Sequence, residues 1–351
     1  MRVLLVGHDF DFSEAGGISR YSNELFNGLR KRVELGTIAT GGIPRPLRVL
    51  MPIVVRGYDI VEAVYPDVAK IIKGNAKMVT MWHDLRLITK YATSTQAKLH
   101  PKLVERYNIA NRIIRYWTLS NYANSEAVIA NSTKTMNEVV SYVKNVGVYD
   151  PKKLYRTIPL GIDDKFIRAK VWYGERQDFV YIGDIHVKNK NFVGLIEAFD
   201  SIVGVAGDAR LHIFTKSAGA EEFVREYTSK AKHIKDRNIT LHLHATDEYI
   251  IETLRKAVAC IFLSKDEGFG LPVLESLAVG TNVIVLKGNY IPREVIRYAI
   301  KASEDEVPRV ALKLMQNPRE ATSAAIKYAK GFTWERNVRM TIELYNEMLK
   351  L

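Results

Sequence analysis

Short apolar runs alternate along this chain with longer stretches in which apolar residues return every three or four positions. "RVLLVG" (2–7) is followed by "ISRYSNELFNGLRK", where Ile18, Tyr21, Leu25 and Leu29 fall on one helical face. "DIVEAVYP" (59–66) precedes "VAKIIKG" (68–74), read as a helix. "KMVTMWHD" (77–84) precedes a long helix near 98–118, and "AVIANS" (127–132) precedes "TKTMNEVVSYVK". This strand-then-helix rhythm predicts parallel strands covered by helices on both faces. It pauses around "YRTIPLGIDDKF" (155–166) and restarts at "DFVYIGDI" (178–185). "NFVGLIEAFDSIV", "ARLHIFTKS", "ITLHLHA", "YIIETLRKAV", "CIFLS", "LPVLESLAV" and "NVIVLKG" then follow in turn. The pattern predicts two α/β domains of Rossmann type, each a doubly wound parallel sheet, with a boundary near 160–172. Open sheets of this kind take ligands at the carboxyl ends of their strands. Two of them facing a central cleft would place the important residues just after strands.

Composition narrows the class. A chain of 351 residues exceeds the usual size of one domain. Hydrophobic residues at 47% and charged residues at 26% give the balance of a globular protein. The single cysteine, Cys260, excludes an intrachain disulfide and reads as a small core residue in "AVACIFLS". "MRVLLVG" is too short an apolar run for a signal peptide, and no window approaches a membrane span of about 20 apolar residues. The expected location is the cytoplasm. A net charge of +12 points to an anionic partner, or to a charge-rich, heat-adapted surface with no such target. "TGGIPRPLR" (40–48) is the clearest Gly/Pro loop.

The chemistry concentrates in "SKDEGFGLPVLESLAVGTNVIV" (264–285). A helix is predicted to start near Gly270, with Pro272 in its first turn, where a missing N–H costs nothing. The free amides and macrodipole at such a start suit a phosphate. Glu275 is the only charged residue of the apolar segment "LPVLESLAV", so its carboxylate needs donors, either a neighbouring cation or ligand hydroxyls. Glu267 lies before the helix and Glu275 inside it, roughly 7 Å or more apart along the axis. A retaining hydrolase places its two carboxyls about 5–5.5 Å apart across one bond. These acids are better suited to grip different parts of one elongated ligand, with hydroxyls at its ends and phosphates between. A nucleotide sugar has that form.

"EGFGLPVLESLAVGTNVIV" resembles the E-x7-E motif of the family 4 (group 1) retaining glycosyltransferases, which share the two-domain GT-B fold. The resemblance covers nearly the whole chain. "GGISRYSNEL" is similar to the family's Gly-Gly loop and helix, "TMWHDL" to its strand-ending His-Asp, and "VIANS" to its second Rossmann strand with a following Ser. "IPLGID" resembles the close of the first domain, "KNFVGLIEAF" the phosphate-binding lysine region, and "FTWERNV" with "LYNEML" the terminal helix. The resemblance implies an acceptor domain over 1–164, a donor domain over 165–332, and a terminal helix over 333–351 packing back on the first. It implies a hexosyltransferase that moves a sugar from a nucleoside-diphosphate sugar to a glycan or lipid-linked hydroxyl, with retention.

By the same resemblance, Glu267 meets donor-sugar hydroxyls and Glu275 the ribose. Phe269, Gly270 and Leu271 offer amides to the diphosphate, and Lys190 neutralises the leaving group. Lys188 is an equally basic neighbour of Lys190, and a solvated lysine is the plainer role for either. His83 would stand beside the reacting carbon, or else end its strand structurally; Asp84 would orient the loop. Gly16 and Gly17 match the loop nearest donor phosphate and acceptor, and also the turn any helix needs there. Arg20 and Lys216 are weaker anion candidates. Family members often carry Arg where this chain has Asp184, so one cationic phosphate contact is missing or comes from elsewhere. No Cys pair, H-E-x-x-H or acidic triplet suggests a metal, so metal-independent activity and no cofactor beyond the donor are expected.

Within 98–117, Leu99, Leu103, Tyr107, Ala110, Ile114 and Trp117 form one stripe, with Lys102, Arg106, Arg112 and Arg115 off it. Such a stripe is a core face, or a basic amphipathic helix on an anionic membrane. Alternative functions are a sugar-nucleotide epimerase or phosphorylase on the same fold, a binding module without catalysis, or a basic nucleic-acid-binding protein. The last lacks any reader motif, so no nucleic acid is expected as partner.

Overall fold

The structure, a computed structural model, describes residues 1–7, 10, 17–40, 52–85, 112 and 115–351. The chain divides into two compact units: Met1–Gly161 together with Trp334–Leu351, and Ile162–Thr333.

The first unit is built on β1 (Arg2–Gly7), β2 (Glu34–Ala39), β4 (Ile60–Ala63), β6 (Lys77–Trp82), β7 (Ala127–Ala130) and β8 (Leu154–Thr157). All pairings are parallel, in the order β2-β1-β4-β6-β7-β8. β4 and β7 are buried along their whole length; β7 reads as an unbroken apolar run, and β4 does so but for Glu62. Ser132 caps the helix Thr133–Asn145 by accepting from the Thr135 amide at 3.1 Å. The helix Gly17–Leu29 buries the stripe Tyr21, Leu25 and Leu29. Gly28 lets the terminal helix, Trp334–Met348, come close: a Cβ there would lie 2.3 Å from Val338 Cγ2.

One expected helix is absent. Residues 68–74 hold β5 (Ile71–Ile72), which pairs in parallel with β3 (Ile53–Val54) as a separate two-stranded sheet. The apolar stretch is only a few residues long and follows Pro66, so no amphipathic helical face can form between β4 and β6. β2 and β8 were not evident in the periodicity; both are only partly buried. Of the long helix expected near 98–118, residues 115–124 are helical, with Arg115 and Tyr116 exposed and Trp117 half-buried. Leu99, Lys102, Leu103, Arg106, Tyr107, Ala110 and Ile114 lie outside the described residues, as does most of the Gly/Pro loop.

The second unit contains β9 (Phe179–Ile182), β10 (Leu211–Thr215), β11 (Ile239–Leu243), β12 (Ala259–Phe262), β13 (Asn282–Leu286) and β14 (Ile300–Ala302). Its order is β11-β10-β9-β12-β13-β14, again all parallel. Phe179, Phe199, Ile213, Ile261 and Ile284 are fully buried in one core. Truncating Phe199 to alanine there would cost about 3–5 kcal/mol. Cys260 is fully buried on β12, and burial pushes its thiol up to about 12, so it stays an inert thiol. The strand order reverses between β9 and β12, so the loops leaving their carboxyl ends open the crevice where such sheets bind ligands.

Candidate active site

Those two loops carry the second unit's candidate residues. After β9 the chain makes a 3-10 turn over Lys188–Lys190, and Asn191 at φ +55° passes it into the helix Phe192–Val205. After β12 comes Ser264, then the run to Gly270. The loops are laced together through the main chain. Lys265 N donates to Asn189 O at 2.7 Å, Ser264 Oγ to the same oxygen at 2.9 Å, and Asn189 Nδ2 to the Asp266 carbonyl. This lacing brings Lys190 Nζ to 2.6 Å from Glu267 Oε1, with the Lys190 ammonium 5.4 Å from the centre of the Phe262 ring. Lys188, by contrast, is exposed. The turn geometry therefore separates two lysines that look equivalent in the sequence.

Glu267 is 5% exposed, and its own amide donates to the Tyr290 carbonyl at 2.8 Å. Gly270 follows at φ +98°, a conformation that side chains resist, and a Cβ there would stand 3.2 Å from Ile291 Cγ2. The helix Leu271–Ala278 starts directly after it, with Pro272 in its first turn, leaving the first amides without partners inside the helix. Phe269 is buried, its ring set edge-on to Phe332 at 6.1 Å. Glu275, 5% exposed, lies on the same helix about 6 Å beyond Leu271 along the axis. The geometry thus collects Lys190, Glu267, Phe269, Gly270, Leu271 and Glu275 in one unit. Asp184 turns to its own surroundings instead: its Oδ1 accepts from Ser217 Oγ and from the His186 amide, both at 2.9 Å. Lys216 is exposed.

The first unit carries the other candidates. His83, just past the end of β6, is 8% exposed; its Nε2 lies 3.0 Å from the Val64 carbonyl, and the Tyr21 ring stands edge-on to it at 5.0 Å. Burial lowers the imidazole to about 4, against the opposing pull of the Val64 carbonyl and Asp84. His83 is therefore neutral at physiological pH. Since a carbonyl only accepts, Nε2 carries the proton and Nδ1 is left as an acceptor. Asn131 Nδ2 donates to the His83 carbonyl at 3.0 Å, a contact that only the end-of-strand position of "VIANS" hints at. Gly17 is the first residue of its helix, and Arg20 lies half-buried one turn in; Gly16 lies outside the described residues. Sequence reasoning missed Glu62, fully buried on β4. A lone acid inside an apolar strand was the available signal. Among the described residues no group of three or more His, Cys, Asp or Glu side chains is arranged to hold a metal ion.

Residues 163–331, nearly the whole second unit, match the family of glycosyl transferases group 1. The second unit is similar to a group 1 glycosyl transferase domain along nearly its whole length. Two curated relatives agree with it. The O-antigen chain mannosyltransferase B of Escherichia coli is 23% identical over 77% of this chain and 70% of its own length. The MMP alpha-(1->4)-mannosyltransferase of Mycolicibacterium hassiacum is 26% identical over 57% of this chain; only 49% of that relative's length is matched. Among solved structures, a sucrose-phosphate synthase from Thermosynechococcus elongatus superposes with a TM-score of 0.70 over 99% of both chains, at 16% identity. That likeness shows the GT-B fold. Together the matches support a glycosyltransferase of group 1, and the matched region holds Lys190, Glu267 and Glu275. Among the described residues no helix is long and apolar enough to cross a membrane.

Proposed function

We propose that the protein is a retaining hexosyltransferase of the family 4 kind, moving a sugar from a nucleoside-diphosphate donor to a hydroxyl of a glycan or lipid-linked acceptor. One observation carries the reading: two buried carboxyl residues bracket a positive-φ glycine and a helix start, with a lysine ammonium 2.6 Å from the first of them. The relatives named as mannosyltransferases support a hexosyl group.

In this reading the helix amides at Phe269–Leu271 and the Lys190 ammonium receive the diphosphate, Glu275 accepts from ribose hydroxyls, and Glu267 accepts from hydroxyls of the sugar. The bond from C1 to the phosphate oxygen breaks, and its electron pair stays on that oxygen. Stabilising this departing charge is the largest contribution to rate. The acceptor oxygen bonds to C1 on the same face and passes its proton to the released phosphate. Glu267 already shares its charge with Lys190, which suits it to holding hydroxyls better than to attacking carbon. In the first unit, neutral His83 offers an Nδ1 acceptor to a hydroxyl and has no proton to give from that atom.

Lys190 and the amides supply the positive charge a metal would otherwise bring, so we propose metal-independent turnover in the cytoplasm. Calorimetric titration with UDP, GDP, UDP-glucose and GDP-mannose tests the donor site. Product NMR tests the anomeric outcome. Binding of none of these four, an inverted product, or activity lost in EDTA and restored by manganese would each remove the corresponding part of the reading. The exposed Arg112, Arg115 and Tyr116, with the net charge of +12, support peripheral contact with an anionic membrane face. Co-sedimentation with vesicles that ignores both anionic lipid and salt would count against that contact.

A further inference from the structure

The first unit holds a carboxyl group that no step above uses. Glu62 sits mid-strand on β4, fully buried. Two hydroxyls meet it. Tyr21, from the helix Gly17–Leu29, donates to Oε1 at 2.8 Å, and Tyr345, from the terminal helix, donates to Oε2. On the flanking strands its register partners are Leu5 and Val79, both apolar. Burying an acid in such a place is costly, and a leucine would fill the space without that cost. What the acid does there is visible one residue further on. The Tyr21 ring, pinned through its hydroxyl, stands edge-on to the His83 imidazole with centroids 5.0 Å apart and planes at 74°. Tyr21 also lies one turn after Gly17, so a single side chain ties the start of that helix to the end of β6.

We propose that Tyr21 and Glu62 are positioning residues: the Tyr21 hydroxyl, anchored on Glu62 and braced by Tyr345, fixes the Tyr21 ring against His83 and so sets the imidazole relative to the start of the Gly17–Leu29 helix. Among the described residues, the titratable groups facing Glu62 are Tyr21 and Tyr345, with His83 and then Asp84 beyond the Tyr21 ring. Burial raises the Glu62 carboxyl to about 7, although both tyrosine hydroxyls pull it down. Both hydroxyls donate to the ionised form. Once Glu62 takes a proton it gains an O–H, and the tyrosine hydroxyls that face it are the acceptors within reach. The hydrogen bonding that anchors Tyr21 through Glu62 is therefore tied to the charge of Glu62, while His83 itself stays unprotonated.

The test is NMR on the full chain with isotopically labelled histidine, the His83 signals being assigned by their loss in His83→Gln. Expected is a movement of the His83 ring signals between about pH 6 and pH 8, without imidazole protonation, that disappears in Glu62→Gln and in Tyr21→Phe. Signals that do not move in the wild type, or that move equally in both variants, overturn the proposal. Should Glu62→Gln fail to fold, Tyr21→Phe decides alone, since it keeps the ring and removes only the hydroxyl. The kinetic consequence rests on the reading of His83 as a residue that meets the sugar. With GDP-mannose or UDP-glucose, whichever the wild type turns over, Tyr21→Phe lowers kcat about tenfold and leaves KM for the donor unchanged. If neither donor is turned over, the functional reading fails while the NMR result still stands or falls on its own.

Discussion

Glu267 in the second unit and Glu62 in the first are about equally hidden from solvent, at 5% and 0% exposed, yet their partners differ in kind. Glu267 meets an ammonium in a loop that leaves a strand at the reversal point of its sheet. Glu62 meets two phenolic hydroxyls in the body of a strand. A carboxyl group paired with a lysine has a partner that, in the proposed function, a ligand can replace: diphosphate for the lysine, sugar hydroxyls for the acid. A carboxyl buried in an apolar layer and met only by neutral hydroxyls among the described residues is driven by that burial towards its protonated form. The first arrangement suits binding and chemistry. The second suits fixing neighbours in place.

The largest effect that would break this comparison is on turnover. Glu267→Gln keeps shape and hydrogen bonding but removes the charge that Lys190 balances. Donor-sugar transfer should fall by about 10²–10³-fold, with nucleoside-diphosphate affinity by calorimetry held within about threefold. Equal loss in Glu62→Gln, with the wild-type pH profile intact, would erase the distinction between the two acids.

Next comes the pH dependence of stability, where the two regions of the first unit oppose each other. The Glu62 carboxyl stands at about 7 in the folded chain, against 4.5 when unfolded. Between those values the folded chain holds a proton the unfolded chain has released. The stability from Glu62 is thus complete below the unfolded value and is lost as pH rises through 7, by about 3 kcal/mol in order of magnitude. His83 stands at about 4 folded and 6.5 unfolded. Its contribution is complete above 6.5 and is lost as pH falls through 4, by a similar amount, about 3 kcal/mol. Urea denaturation across pH should show Glu62→Gln losing the decline on the neutral side, and Glu267→Gln keeping it. A decline unchanged in Glu62→Gln would show that another group is responsible.

How much of this was legible in the sequence follows from the range of each interaction. The two parallel sheets and the helix after Gly270 are written in local periodicity and in one short motif, and the structure forms both. Lys190 and Lys188 could not be told apart, because the choice is made by a 3-10 turn and a left-handed Asn191. The segment 68–74 was misread because a few apolar residues satisfy either period. Tyr345 reaches Glu62 across 283 positions, and no local pattern encodes a hydroxyl that far away. The lone acid in "DIVEAVYP" was visible, but its partners were not.

A smaller effect sharpens the second unit's side of the comparison. Gly270→Ala must hold an L side chain at φ +98° with its Cβ 3.2 Å from Ile291 Cγ2. The cost should be roughly 1–2 kcal/mol of stability, read as a lowered Tm, together with weaker nucleoside-diphosphate binding, because the helix amides begin at this residue. A normal Tm with unchanged affinity would mean that the turn relaxes without disturbing the helix start.

The smallest effect, that of Lys188→Ala, is the most selective. Lys188 and Lys190 bracket one short turn, carry the same charge and lie the same distance from nothing the sequence can name. The structure points Lys190 at Glu267 and leaves Lys188 exposed. If the charge that matters is a general basic field around the loop, removing either lysine should weaken nucleotide binding alike, with a strong dependence on salt. If it is the ammonium fixed beside Glu267, Lys188→Ala should leave turnover and diphosphate affinity within about twofold of wild type. Lys190→Ala should in addition destabilise the fold, since it strands the Glu267 carboxylate in a buried position without its cation. Equal losses in the two variants, vanishing together at high salt, would dissolve the lysine's half of the contrast with Glu62 and leave only the hydroxyl-held acid standing.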